Sequence, residues 1–481
     1  MLEFMNKIIC FFILSVSLCL SSCSNWLDVS PSTEKDREDL IKTEKGFKEM
    51  LYGCYINLDA EALYGHQLTY GCLEGFARNY VWSLSTSYGF TDTSVRPTID
   101  AIWSGMYNNI TNINSILSSI ESEKNLFSNG EGDILEGEAL AMRAYTHFDL
   151  LRMFAPAYPG NESTIAIPYV DTYERIRSEH LSESSVIKKV LADLDKADSL
   201  FVAGGDPIIS KVTTTYSGKD DFLANRQYRF NYWAAIAEKA RVYMYINQKD
   251  SALKYAMKII NGAPFSWVKE STLTGDHPDR VFMPEIICAL NVPKLSTYYT
   301  NYFTSEKYSL SDGWGTYGMN VFEDGNDFRY LYLLTNDKNN NKVISCKYNQ
   351  SPSSSSTLME YTVPLIRMGE MYLIAAECNI SSNPAETISL LRELKSHRGY
   401  LSTDKGIDDN ASADQLLKYV ENEMRKETYA EGQTFFMYKR LQLSQIPDFN
   451  PWMSNATISM SSSNYTFPLP EDEQEYGNIP K

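Results

Sequence analysis

The sequence predicts a mostly α protein: a scaffold of about eight helices in pairs, interrupted by one irregular, loop-rich insertion. Three observations predict it. Apolar residues recur at three- and four-residue spacing through 40–261 and again through 365–440. Residues 262–364 lose that period and carry strand-like runs (Ile286 to Val292, Val343 to Tyr348), Gly-rich turns and a Ser-rich tract. The third is a helical hairpin, Asn231 to Ile246 and Ser251 to Ile260, about the turn Asn247-Gln248-Lys249-Asp250. Its Ala234, Ala237 and Ala240 oppose Ala252 and Ala256, and small residues on both faces let two helices approach as in tetratricopeptide-like pairs. Neighbouring units of such arrays share one core, so a chain of 481 residues need not divide into several domains.

The elements follow in order. Ile8 to Leu20 carries no charge and lies behind Lys7; a bilayer-crossing helix needs about 20 apolar residues, so this run is a signal-peptide core. Leu20-Ser21-Ser22-Cys23 then reads as a lipobox, in which cleavage removes 1–22 and leaves Cys23 as a lipidated first residue of 23–481. The alternatives are an ordinary secretory signal that ends by chance on a cysteine, or an untidy N-terminal core helix. Phe47, Met50, Leu51, Cys54, Tyr55 and Leu58 mark the first helix, and Tyr64 to Pro97 reads as a long ordered loop. Helices follow at Ile99 to Ile120, Ile134 to Phe154 and Val186 to Phe201, then the hairpin. After the insertion come Ile366 to Ile380, a helix capped by Asn383 with Pro384 at its first position, and one opened by Ser412 and Gln415 that runs through Glu427 to Gly432. The tail, 441–481, reads as irregular.

A net charge of −17 with no Lys/Arg run excludes nucleic acid and docking on anionic lipid. Cys54, Cys72, Cys288, Cys346 and Cys378 are odd in number and show no paired or zinc-type spacing, so neither a disulfide framework nor a metal or cofactor site is expected. There is no GxSxG, P-loop or HExxH, and His66, His147, His180, His277 and His397 lack ligand spacing. Gly313-Trp314-Gly315-Thr316-Tyr317-Gly318 matches the dinucleotide pattern, but no helix is expected after it and bulky rings stand where a pyrophosphate would approach. A helical glycosidase remains the catalytic rival, with Asp92, Asp324 and Asp327 as its carboxylates, because two carboxylates suffice for that chemistry. The primary expectation is a binding protein, not an enzyme.

Several segments resemble the SusD/RagB lipoproteins. They are Trp26-Leu27-Asp28-Val29-Ser30-Pro31 after the lipobox, Gly137 to Ala144 with Ile167-Pro168-Tyr169-Val170, Asp327-Phe328-Arg329, Ile366 to Glu377, Glu423 to Gly432, and Phe467-Pro468-Leu469-Pro470. The matches run in the family's order over nearly the whole mature chain. Two departures are Gln433-Thr434, where the family usually carries an arginine, and the missing final Asn-Pro segment after Asn478. The resemblance implies a lipid-anchored outer-membrane protein with a tetratricopeptide scaffold, partnered by a SusC-like TonB-dependent transporter. Its ligand would be an oligosaccharide, or in some relatives a peptide. Glu138, Arg143, Arg367, Glu370 and Glu377 of the shared motifs read as structural charges that pair across the helix stack.

A sugar offers an apolar face and a rim of hydroxyls, so its site is expected where loops concentrate aromatic rings beside polar groups. Two stretches qualify: Tyr70, Arg78, Asn79, Tyr80, Trp82 and Tyr88, and then Tyr298, Tyr299, Tyr302, Trp314 and Tyr317. Trp82 and Trp314 are the preferred ligand rings, with Tyr80, Tyr298, Tyr299 and Tyr317 beside them and Arg78 and Asn79 as hydroxyl partners. Trp103 and Trp233 lie on helix faces and are expected in the core.

Overall fold

Nine long helices among the described residues form one stack in a computed structural model that describes residues 37–80, 88, 90, 95–213, 221–304, 308–310, 322, 324–337, 342–350, 359–448 and 456–480. The expected signal and anchor segment, Trp82, Asp92, Trp314, Tyr317 and the Gly313 to Gly318 motif lie outside these residues.

Helix α1 (Glu44–Leu58) starts at Thr43, whose hydroxyl accepts from the Gly46 amide. After the short α2 (Cys72–Phe76) come α3 (Arg96–Ile120), α4 (Glu131–Phe154), α5 (Glu183–Gly204), α6 (Tyr232–Tyr245) and α7 (Lys249–Gly262). Caps set their ends: Ser182 opens α5, Gly205 in the left-handed region closes it, and Asn231 opens α6. Each long helix packs on the next, α3 on α4, α4 on α5, α5 on α6 and α6 on α7. The alanine faces of α6 and α7 meet as expected, with Ala234, Ala237, Ala240, Ala252 and Ala256 all buried.

The chain then leaves the stack and returns to it. Strand β3 (Ile286–Asn291) pairs antiparallel with β6 (Thr362–Arg367), which ties the start of the excursion to its end. Between them lie α8 (Leu295–Tyr302), α9 (Phe328–Leu333) and the hairpin β4 (Leu334–Asp337) with β5 (Lys342–Ser345). Helix α10 (Met368–Asn379) then packs directly on α7, so the stack continues as though the excursion were absent. The helix expected from Ile366 begins two residues later, because Ile366 and Arg367 are extended and belong to β6. Helix α11 (Pro384–Ser396), capped by Asn383, and α12 (Ala413–Glu427), opened by a Ser412/Gln415 capping box, complete the repeat.

The helix expected to run on to Gly432 stops at Glu427. Ala430 and Gly432 both take positive φ, and a new helix, α13 (Gln433–Arg440), starts beyond them. The tail also holds more order than expected: β1 (Ile165–Pro168) and β2 (His180–Ser182) have a counterpart there in β7 (Gln445–Pro447) with β8 (Thr457–Ser459), followed by α14 (Glu471–Tyr476).

Helix α4 is the axis of the core. Every residue of it but Asp133 is buried, which is why its sequence shows little amphipathic contrast. Its last carbonyls cannot be satisfied within the helix. Lys439 Nζ donates to the carbonyls of Arg152 (2.6 Å) and Ala155, and the Phe467 amide donates to that of Met153 (2.8 Å). The end of the chain therefore caps its central helix.

The five motif charges pair between elements. Glu138 meets Arg226 and Arg229; Arg143 forks onto Asp193 at 2.7 and 2.8 Å; Glu370 takes Arg241 at 2.9 and 2.6 Å; Glu377 takes Arg440 at 2.8 and 2.6 Å. Arg367 belongs to a larger buried set. Glu427 accepts from Arg367 (2.6 Å), from Arg398 (2.9 and 2.6 Å) and from Arg329 (3.0 Å), while Glu285 takes Arg398 and Glu423 takes Arg329. This set welds α9, β6, α12 and the turn after α11 at the junction of insertion and stack. Gly369 makes room for it, since a Cβ there would lie 2.4 Å from Glu427 Oε1.

The five described cysteines are free and buried, and burial pushes the Cys54 and Cys378 thiols up to about 12. Trp103 and Trp233 are core residues, as expected. No helix among the described residues is long and apolar enough to cross a membrane, and no His/Cys/Asp/Glu group among them has metal-ligand geometry.

Candidate functional site

The two aromatic-rich stretches singled out from sequence come together through a column of rings. Tyr80 stacks on Tyr308 with centroids 4.4 Å apart and planes 11° from parallel; Tyr308 stacks on Tyr302 at 5.3 Å, and Tyr302 on His66 at 3.8 Å. Tyr298 lies 6.3 Å from His66, on the same helix as Tyr302. His66 is fully buried and bonds the Tyr308 hydroxyl through Nε2 at 2.6 Å, while the Tyr302 hydroxyl donates to Glu61. Tyr299 stacks on Phe303 at 5.3 Å, and Phe303 sets its ring edge-on against Tyr308. Burial pushes the phenols of Tyr70, Tyr80 and Tyr308 well above the usual tyrosine range, so they remain neutral donors.

The backbone around these rings is fixed. Residues 60–71 form consecutive turns, and Gly71 leads into α2. The Tyr80 hydroxyl donates to the Tyr70 carbonyl (2.8 Å), and the Tyr88 hydroxyl to that of Phe76 (2.8 Å). Arg78 adopts a left-handed φ of 61° and donates from Nε to Asp448 at 2.7 Å, which ties the root of the first loop to the tail. Asn79 donates to Glu74 (2.5 Å), and Glu74 also accepts from the Gly432 amide (3.1 Å).

The candidate residues thus divide. Tyr80 is 1% exposed and spends its ring on Tyr308, while buried Asn79 spends its amide on Glu74; both hold the loop root in this conformation and neither faces solvent. Tyr298 and Tyr299 are 7% and 6% exposed, on a helix whose outer face carries exposed Ser296, Thr297, Thr300 and Asn301. Trp82, Trp314 and Tyr317 fall outside the described residues. Of the carboxylates considered for catalysis, Asp327 caps α9 and pairs with Arg329 at 2.6 Å, and Asp324 accepts from the Asn326 amide at 2.8 Å. Sequence reasoning missed Tyr308, Glu61 and the place of His66. A tyrosine five residues before the Gly-rich run that starts at Gly313 was the available signal for Tyr308; nothing local marks the other two.

Burial pushes the Glu74 carboxyl up to about 7 despite its hydrogen bonds to Asn79 and the Gly432 and Ala430 backbone. Its folded state therefore holds a proton that an unfolded glutamate releases near its ordinary value, so this group makes stability fall as pH rises from about 4.5 to 7. Glu74→Gln, with the Asn79 amide turned to present its oxygen, will flatten that part of a Tm-against-pH curve.

A continuous stack of helix pairs, with an excursion that joins it through a buried aromatic column, defines a helical-repeat scaffold. The chain belongs to the SusD family. Residues 25–244 match the family model described as "Starch-binding associating with outer membrane", and 294–474 the one described as "SusD family". A SusD-like protein P38 from Formosa agariphila is 24% identical, with 90% of each chain covered. Two solved structures share the fold. A SusD superfamily protein from Bacteroides thetaiotaomicron superposes with a TM-score of 0.70 at 19% identity, covering 91% of this chain and 99% of that one. A SusD-like carbohydrate binding protein from Bacteroides vulgatus gives 0.69 at 18% identity, over 91% and 98%.

Proposed function

We propose that this chain is a cell-surface lipoprotein, anchored to the outer membrane through Cys23, that captures oligosaccharides and passes them to a SusC-like TonB-dependent transporter. The Tyr80–Tyr308 stack carries the reading, because it joins the roots of two loops from opposite halves of the chain, each bearing tryptophan or tyrosine. Trp82, Trp314 and Tyr317 supply flat faces for sugar rings; Tyr298 and Tyr299 back them, and Arg78 serves hydroxyls from the loop root. Asn79 and Tyr80 act by holding that root. The curated relatives and the fold are consistent with binding, and no step of catalysis is required of Asp324 or Asp327.

Each stacked ring covers tens of Å² and contributes on the order of 1 kcal/mol at ~25 cal/mol per Å². The double substitution Trp82→Ala with Trp314→Ala will therefore weaken glycan binding by roughly 30-fold, about 2 kcal/mol, without lowering Tm. A glycan array on the chain from Ser24 onward selects the sugar, and calorimetry on wild type and the double variant measures the loss. Unchanged affinity sinks the assignment of the rings. Shorter products from the added glycan would favour the glycosidase, and capture of peptides but not glycans the peptide-binding alternative.

A further inference from the structure

A surface groove lies away from the buried aromatic column. A groove of about 550 Å³ runs between α3, the connector from β1 to β2, and α14, with Trp103, Tyr107 and Thr111 along its floor. Those three residues are four apart on α3 and so share one helix face. Its walls carry Ile176, 60% exposed, and Tyr476, 57% exposed. Large apolar side chains left this open beside an aromatic floor mark a surface that something covers.

The described chain begins beside this groove. Arg37 donates from Nε to Ser115 Oγ (2.7 Å) and from Nη2 to Ser118 (2.9 Å) and Ser119 (2.8 Å), and its guanidinium lies over the Tyr173 ring at 4.7 Å. Ser115 is one turn beyond Thr111 on α3, and Tyr173 is on the connector that forms the groove wall. Upstream of Arg37 stand Trp26-Leu27-Asp28-Val29-Ser30-Pro31, an apolar group with one carboxylate. Ten residues from Leu27 to Arg37 reach up to about 35 Å, whereas the twelve helical residues from Ser115 back to Trp103 span only about 18 Å. The rim offers Arg177 to Asp28; the nearby Glu473 is taken by His180 at 2.8 Å.

We infer that the groove receives the chain's own N-terminal segment, with Trp26 and Leu27 against Tyr107, Ile176 and Tyr476. Docking this segment shortens the tether. From Cys23 to Trp26 there is about 10 Å of slack, against about 50 Å from Cys23 to Arg37 if the whole stretch hung free. A lipid on Cys23 would then hold the body close to the membrane with the groove facing it. This consequence rests on the anchor proposed above; the docking does not.

Hydrogen exchange on the chain from Ser24 onward, which retains every described element, tests it. Amides of residues 26–30 are expected to exchange at least about tenfold more slowly than in Trp26→Ala with Leu27→Ala. Ile176→Asp with Tyr476→Ser, at exposed positions that leave the fold intact, is expected to release the same amides to the same extent. Equal exchange in all three proteins overturns the inference, as does protection that survives the groove substitutions. Protection that appears only at concentrations where the chain dimerises assigns the groove to a second copy, and also overturns it. No glycan enters the readout, so this result is independent of the ligand-site test.

Discussion

Glu427→Gln will cost about 3–5 kcal/mol of unfolding free energy, the usual cost of removing one partner from a buried charge set. Four hydrogen bonds from Arg329, Arg367 and Arg398 converge on this carboxylate, and all three guanidiniums are buried. Glutamine keeps the shape but turns an NH₂ toward cations and leaves their charge uncompensated where water cannot reach. The loss measures an orphaned set of arginines and not the net worth of the network, which apolar replacement of the whole could match. A denaturant titration checks the figure. Glu49→Gln, at an exposed pair with Lys45, supplies the comparison and should change stability by less than about 1 kcal/mol. The surrounding arginines hold the Glu427 carboxyl well below the usual carboxylate range against the opposing effect of burial. Its stabilisation is thus complete above the ordinary glutamate value and disappears as pH falls through the depressed one, so the variant will also lose the steep acid limb of the wild-type curve.

The second large effect is expected at Gly432. It holds φ at +74°, and a Cβ on it would lie 2.2 Å from the Leu68 carbonyl oxygen, a backbone atom that cannot move aside cheaply. Its amide meanwhile donates to Glu74. Gly432→Ala combines left-handed strain with a backbone clash and should cost about 3 kcal/mol or more. The displaced segment includes the turn that carries Tyr70, whose carbonyl accepts from the Tyr80 hydroxyl, so the glycan affinity proposed above should fall along with the denaturation midpoint. Gly53→Ala, on α1 with nothing within 4 Å of the added atom, should instead raise stability by roughly 0.5–1 kcal/mol.

The stack was readable because its helices show period or caps: the alanine faces of α6 and α7, the Asn383 and Ser412 starts, the Gly205 stop. Helix α8 was not, since Leu295–Tyr302 mixes four polar residues with three tyrosines and one leucine and takes its fold from packing on Phe303 and His66. Helix α13 was hidden because Phe435, Phe436, Met437 and Tyr438 form an unbroken apolar run, all of them buried, with no polar face to reveal a period. At the candidate site, composition located both loops but could not separate a ring that faces ligand from one that holds the loop. Tyr80 looks like its neighbours in sequence and differs only in having Tyr308 across from it. The motif charges were easier, because a charge inside an apolar helix face must find a partner, and each of the five does so.

The capping of α4 has a consequence for biosynthesis. Ribosomes deliver Arg152, Met153 and Ala155 long before Lys439 and Phe467, whose side chain and amide donate to those carbonyls. A nascent polypeptide of 400 residues can build the alternating helices yet cannot finish its centre, and such late, sequence-distant closure delays commitment to the native state. Under the export proposed above, that delay would keep the strand slack until the far side of the membrane is reached.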